Sequence, residues 1–288
     1  MKKILFTGGT GFLGRNLVPL LRKEYDVYAP TRKELNLKDE SQLIDCIKNN
    51  QFDVIIHAAI PNIAFNEDDR KESLLENSMH IFAILERLQP YYGKMIYFGS
   101  GAEYDKTRNI SMVDESDFGN AIPKNEYGLA KYLMNLIAEK SKKIYNLRIF
   151  GCYGPTDAPF KFMTSVIRNC INSETICLHQ DCYFDFMYVT DIYYILKYFI
   201  ENEPKHHSYN MCTGVRLRLS EVCELIQQEM NTDLEVIFER DGMNNEYSAN
   251  NARILEEMNS FRFTSIRDGI KQQIQYERKN IKNEKKSC

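Results

Sequence analysis

The stretch Lys3-Ile4-Leu5-Phe6-Thr7-Gly8-Gly9-Thr10-Gly11-Phe12-Leu13-Gly14 decides the fold. Lys3 to Phe6 reads as a short buried strand, and Leu13, Leu17, Leu20 and Leu21 follow at helical spacing. Between them Gly8, Gly11 and Gly14 sit three residues apart. Strand, glycine turn and helix open a βαβ unit. Such a turn must reverse tightly, approach a pyrophosphate closely and offer it helix N–H groups. Glycine suits each demand because it lacks Cβ and tolerates positive φ. A glycine turn alone can be purely structural. With a strand before it and a helix after it, this one predicts dinucleotide binding.

The alternation continues outward. Residues 25–29 read as a second strand, and residues 41–49 as a helix with Leu43, Ile44 and Ile47 on one side. Val54 to Ala59 is an apolar strand, as in a sheet covered on both faces. A helix over 73–88, a strand over 94–98 ending at Gly99-Ser100-Gly101, a helix over 127–141 and a strand over 144–150 follow. This order predicts an α/β fold with a doubly wound parallel (Rossmann) sheet over residues 1–154. Past Pro155 the pattern is less regular, with helices over 162–172, 191–202 and 220–230 and strands over 183–188 and 236–238. A smaller α+β substrate-binding domain is expected over residues 155–288, with residues 184–203 returning to the first domain. Ser220 is expected to cap its helix. The basic segment 277–288 is expected to fray.

Composition narrows the class. The 288 residues, 43% hydrophobic and 27% charged, are enough to bury a core without disulfides or metals. A net charge of −3 argues against a nucleic-acid binder. No apolar run approaches the roughly 18 residues of a membrane span, nor does the start resemble a signal peptide. A cytoplasmic location is expected. The eight cysteines form no Cys-x-x-Cys pair and the five histidines show no metal spacing, so reduced thiols and no metal are expected. His57 follows an apolar run and is expected to pack beside a cofactor. His206 and His207 form a loop pair.

The second strand speaks to the cofactor. An NAD site usually ends that strand with a carboxylate for the ribose 2′-hydroxyl. Here it ends Val27-Tyr28-Ala29-Pro30-Thr31-Arg32-Lys33, with no acid before Glu34. Arg32 can grip a 2′-phosphate that a carboxylate would repel, and Arg15 can assist. NADPH is therefore expected over NAD(H), although Arg32 and Lys33 can equally be a solvated turn.

Tyr127 and Lys131 are four apart, on one face of a helix. Lys131 can stabilise the phenolate, lower the Tyr127 pKa and hold the nicotinamide ribose, leaving Tyr127 as general acid or base. Ser100 ends a strand, where open α/β sheets bind ligands, and can hydrogen-bond a reacting carbonyl. Each piece alone is a common pattern; together, after the glycine turn, they form a catalytic triad.

On these residues the chain resembles the extended short-chain dehydrogenase/reductases, in the branch that modifies nucleotide-activated sugars. The resemblance covers roughly residues 2–270. Its other pieces are His57-Ala58-Ala59, Asn77, Arg148-Ile149-Phe150-Gly151-Cys152-Tyr153-Gly154-Pro155 and Phe186-Met187-Tyr188-Val189-Thr190-Asp191. Thr31 to Leu37 particularly resembles GDP-fucose synthases and related NADPH-dependent 4-keto-sugar reductases. The resemblance implies that Gly8, Gly11, Phe12, Leu13 and Gly14 hold the dinucleotide, with Asn36 and Leu37 at adenine and Ala58 and Ala59 lining the cofactor. It implies that Asn77 supports the site and that Tyr153 lies near the nicotinamide. It also implies a homodimer.

Departures from the family pattern sharpen the reading. The acidic pair that follows the serine in sugar-nucleotide dehydratases is replaced by Gly101 and Ala102. Phe184 stands where the family often has a phosphate-contacting arginine, and Gly151 where an asparagine is common. Arg240 matches a second phosphate-contacting arginine, and Arg216 and Arg218 are further candidates for substrate binding. The expected activity is an NADPH-dependent reductase of a nucleotide-activated keto sugar, of the 4-keto-6-deoxy type. The alternatives are an NAD-dependent nucleotide-sugar 4-epimerase using the same triad, and a catalytically silent NADP(H)-binding regulator. Retention of both Tyr127 and Lys131 disfavours the regulator.

Overall fold

The computed structural model describes residues 1–60 and 73–287, with side chains through residue 282. In chain order, β1 (Lys3–Thr7), α1 (Phe12–Leu21), β2 (Asp26–Tyr28), α2 (Glu40–Asn50), β3 (Val54–His57), α3 (Leu74–Arg87) and β4 (Lys94–Ser100) alternate. Then come β5 (Ile110–Val113), α4 (Glu126–Ala138), β6 (Ile144–Ile149), β7 (Gly151–Tyr153), α5 (Phe162–Asn172), β8 (Ile176–Leu178), β9 (Tyr183–Tyr188) and α6 (Val189–Glu201). The chain ends with β10 (Ser208–Met211), β11 (Arg216–Arg218), α7 (Leu219–Met230), β12 (Val236–Phe238), β13 (Tyr247–Ala249), α8 (Ala252–Glu257) and α9 (Ile266–Ser287).

Six strands form an all-parallel sheet in the order β10-β6-β4-β3-β1-β2. Its central strands are apolar throughout because alternate side chains serve opposite faces. Ile4, Phe6, Val54, Ile56, Ile96 and Phe98 pack with Leu17 and Leu21 of α1 and Ile192 and Ile195 of α6. Leu5, Ile55, Met95 and Tyr97 pack on the other face with α2, α3 and α4 through Leu43, Ile47, Ile81, Phe82 and Met134. Each fully buried aliphatic or phenyl side chain contributes roughly 1.5–3 kcal/mol relative to exposure.

A second sheet runs β11-β9-β13-β5, with β7 paired to β9, and β12 pairs with β8 in a small ribbon. Around them α5, α7 and α9 share a separate core of Met163, Ile167, Ile176, Val222, Ile226, Ile270 and Ile274. The expected return of residues 184–203 divides here. Strand β9 belongs to the second sheet, whereas α6 lies against α1 and the large sheet. The large sheet's last strand is β10, from Ser208–Met211.

Two local expectations are corrected. Ser220 lies inside α7, whose N-cap position is Arg218, and its hydroxyl donates to Asp181 at 2.7 Å. Residues 277–287 continue α9 instead of fraying. Ile270, Ile274, Glu277 and Ile281 are buried at helical spacing, and Glu277 accepts from Arg168 Nε at 2.7 Å. The lysines around them masked this stripe in the composition. No helix among the described residues is long and apolar enough to cross a membrane.

A charged pair is buried where β4, β6 and β10 meet. Arg148 Nε donates to Glu103 Oε2 at 2.8 Å, with both side chains fully buried. Arg148 Nη1 also donates to the Tyr104 hydroxyl (2.9 Å) and to Asn210 Oδ1 (3.0 Å). Glu103 additionally accepts from Asn146 Nδ2 and from the Ser100 N–H, the latter at 3.0 Å. Removing one partner strands the other charge in the core. Arg148→Met is expected to cost about 3–5 kcal/mol in urea unfolding, with Glu103→Leu added in the same chain restoring much of it. A single variant as stable as wild type would show that the pair carries no such charge.

His57 ends β3, is buried, and places Nδ1 2.8 Å from the Thr7 hydroxyl. Burial, aided by the Lys131 charge, pushes its pKa down to about 3. The folded state therefore binds this proton more weakly than the unfolded state does. Its contribution is complete above pH 6.5 and is lost as pH falls toward 3. Asp157 and Asp185, pushed up to about 6 by burial, act in the opposite sense. The histidine's share is therefore read as a difference. From pH 7 to pH 5, wild type is expected to lose about 2 kcal/mol more stability than His57→Gln. Equal changes would refute burial of a neutral imidazole.

Candidate active site

The glycine turn lies against the end of β3. Gly8 has φ +78°, and a Cβ there would sit 2.8 Å from Ala59 N and 2.9 Å from the Ala58 carbonyl carbon. A Cβ on Gly14 would come within 2.5 Å of Gly8 O, so α1 can pack this close only with a bare Cα. Gly14 serves the turn from behind and is not on the cavity wall. Gly11 is the N-cap of α1, gives it no side-chain cap, and no acid stands in the first turn. That leaves a helix N-terminus open to an anion, and Gly8, Gly11, Phe12 and Leu13 line a cavity of about 870 Å³. Bare backbone, open N–H groups and this volume fit a dinucleotide.

The turn after β2 forms one end of this cavity through Arg32, Asn36, Leu37 and Lys38. Glu34 is not on the wall; its carboxylate accepts from the Thr31 N–H (2.7 Å) and hydroxyl (2.9 Å). Ala58 and Ala59 form the floor beside the turn. His57 lies behind them, buried and off the wall.

The triad comes together at the ends of β4 and α4. Asn125 caps α4 by accepting from the Gly128 N–H at 2.7 Å. Gly128 presses against Ala102, where a Cβ would meet the carbonyl oxygen at 2.8 Å. This close approach brings Tyr127 beside Ser100, whose hydroxyl pulls the phenol pKa down. Ser100 Oγ accepts from the Ala102 N–H at 3.2 Å and lies 3.4 Å from the Tyr247 hydroxyl. One turn along α4, buried Lys131 donates to the Phe98 carbonyl at 2.7 Å, its Nζ 6.0 Å from the Tyr127 ring centroid.

The expected lowering of the Tyr127 pKa by Lys131 is not what this geometry produces. Burial pushes the phenol up; the Ser100 hydrogen bond opposes and the Glu103 charge adds to the rise. Burial pushes Lys131 down to about 8, with Glu103 opposing. Burial dominates both shifts because both groups sit in the same poorly solvated wall.

Three expected contacts lie elsewhere. Asn77 is on α3, where its Nδ2 donates to the Ser73 carbonyl at 2.9 Å, off the cavity wall. Arg216 forks onto Glu246 at 3.1 and 3.0 Å. Arg240 follows β12, exposed, with its N–H on the His179 carbonyl. Neither arginine lines the cavity. The wall contains Phe184 and Phe186, together with Lys106, Asp157, Lys161 and Tyr247, which the sequence did not single out. Tyr153 and Gly151 are also on it.

A model of the NAD dependent epimerase/dehydratase family matches residues 4–212. A "GDP-6-deoxy-D-talose 4-dehydrogenase" of Aggregatibacter actinomycetemcomitans is 26% identical over 92% of this chain and 94% of that protein. A GDP-L-fucose synthetase from Naegleria fowleri bound to NADP superposes with a TM-score of 0.83 at 18% identity, covering 98% of this chain and 94% of that one. A dTDP-glucose 4,6-dehydratase from Bacillus anthracis with NAD superposes at 0.81 and 18% identity, over 97% of both chains. The matched residues carry both the glycine turn and the triad, and the chain belongs to the NAD dependent epimerase/dehydratase family.

Proposed function

We propose that this enzyme is an NADPH-dependent reductase of a nucleotide-activated keto sugar, of the 4-keto-6-deoxy type. The observation that carries the reading is one cavity lined by Ser100, Tyr127 and Lys131 and also, from the turn after β2, by Arg32 with no carboxylate of that turn. The similar GDP-6-deoxy-D-talose 4-dehydrogenase bears a name that describes oxidation at a sugar carbon, the reverse of carbonyl reduction there. Bound NADPH supplies a hydride. The chain's residues supply the rest. Ser100 donates a hydrogen bond to the carbonyl oxygen, and Tyr127 gives its proton to that oxygen as it becomes an alkoxide. Lys131, fixed by the Phe98 carbonyl, would hold the nicotinamide ribose. Burial keeps the phenol protonated at neutral pH, the form that a reduction needs and an alcohol oxidation does not.

Tyr127→Phe is expected to lower kcat roughly 10²–10⁴-fold with NADPH binding retained. Turnover at the wild-type rate would remove Tyr127 from its role. With the phenol pKa raised, the rate of reduction is expected to hold from neutral pH up to the ordinary tyrosine range near ~10 and to fall only above it. A decline beginning near neutrality would contradict a proton-donating Tyr127. Arg32→Ala is expected to weaken NADPH about tenfold or more while leaving NADH little changed. Protein that purifies with stoichiometric NAD and interconverts sugars without added cofactor would instead be an epimerase.

A further inference from the structure

A second phenol stands beside Ser100. Tyr247, on the three-residue strand β13, is buried, lines the cavity and holds its hydroxyl 3.4 Å from Ser100 Oγ. The triad chemistry makes no use of it. Its ring is fixed from several sides. The Phe150 and Phe184 rings lie 5.0 Å away between centroids, and the Lys106 ammonium rests 4.6 Å from its centroid. The backbone pins it as well, pairing Tyr247 with Phe184 of β9 and with Ile110 of β5. In so tight a packing the hydroxyl has little freedom to turn elsewhere.

Gly101 makes the approach possible. A Cβ there would come 2.7 Å from the Tyr247 hydroxyl and 2.6 Å from the Phe150 ring, so a side chain next to Ser100 would push the phenol away. Two departures from the family pattern therefore meet at Tyr247. Gly101 leaves room for its hydroxyl, and Phe184 backs its ring. Burial raises the pKa of this phenol, with Tyr127 and Glu103 adding to the rise and the Ser100 hydroxyl and the Ala102 N–H opposing it. At neutral pH it keeps its proton and has one to give.

Ser100 Oγ has one proton and two lone pairs. The Ala102 N–H occupies one lone pair at 3.2 Å. A Tyr247 that accepted the serine's proton would take it from the substrate. A Tyr247 that donates fills the second lone pair and leaves the serine's proton for the cavity. At 3.4 Å the contact is longer than an ordinary hydroxyl pair, as catalytic hydrogen bonds often are before substrate tightens them. Resting on the reductase reading, we infer that Tyr247 is a positioning residue, whose phenol donates to Ser100 Oγ and turns the serine's proton toward the substrate carbonyl. Ser100 then meets the growing oxyanion as a donor already aimed, with no reorganisation when hydride arrives.

The test is a double-mutant cycle on the full chain saturated with NADPH. The substrates are 4-keto-6-deoxy sugars linked to GDP, CDP, dTDP or UDP, and the one turned over fastest is used. Tyr247→Phe keeps the ring and removes only the hydroxyl. It is expected to lower kcat roughly tenfold, with KM and NADPH affinity within about twofold of wild type. Ser100→Ala is expected to cost more, and adding Tyr247→Phe to it is expected to cost nothing further. A ring that served packing alone would give no such dependence on the serine. Tyr247→Phe with the wild-type kcat would overturn the role. So would a loss that persists in full in the Ser100→Ala chain, because the phenol would then act without the serine. Wild type that binds NADPH but reduces none of the four substrates would overturn the reductase reading and this role with it.

Discussion

The placement of Ser100 depends on one buried charge pair. Ser100 ends β4, and its N–H is held by Glu103, which Arg148 reaches across from β6. Arg148 in turn grips Asn210 on β10 and the Tyr104 hydroxyl. Taking two charges out of water costs several kcal/mol each, and their attraction only roughly offsets this. The pair is therefore weak as a source of stability but strong as a source of geometry. Its hydrogen bonds come from several elements, and an alternative packing of the strand ends would leave some of them unmade. The same carboxylate also acts at a distance. Its charge favours the protonated forms of both Tyr127 and Lys131.

The second constraint is close approach of backbones. At Gly8, Gly14 and Gly128 a single added carbon would overlap main-chain atoms. The first two draw α1 and its turn against the end of β3, and the third draws α4 against the end of β4. The helix N-terminus and the Tyr127–Lys131 face, from opposite faces of the sheet, thereby arrive at the same end of it, beyond the carboxyl ends of its strands. This is where an open parallel sheet leaves a crevice.

The parts of the site that were legible in the sequence are local. Gly8 to Gly14 and Tyr127 to Lys131 are each written within two helical turns, and the period of the surrounding apolar residues places them on their elements. Ser100 was legible because it ends a run that is apolar on both sides. Tyr247 was not, because a three-residue strand has no period, and it meets Ser100 only through the pairing of β13 with β9 and β5. The direction of the Arg216 side chain, on a strand equally short, was no more legible. Its short strand does not encode which way the side chain points, and Glu246 was near enough to take it. The buried stripe of α9 was hidden by its lysines, since composition averages over faces and a helix does not.

The apolar lining of the cavity explains why Tyr127 and Lys131 depart from their ordinary values in opposite directions. Phe98, Ile149, Phe150 and Cys152 line the same cavity as Tyr127 and Lys131. Low polarity penalises any charged form, so the phenol of Tyr127 rises and the ammonium of Lys131 falls. Neither change disarms the site at neutral pH. A raised phenol is still a proton donor, and an amine brought down to about 8 is still mostly charged. In the same poorly solvated wall, each hydrogen bond to a developing oxyanion counts for more than it would in water. Burial therefore keeps the Tyr127 phenol protonated, while Lys131 stays mostly an ammonium at neutral pH in spite of it.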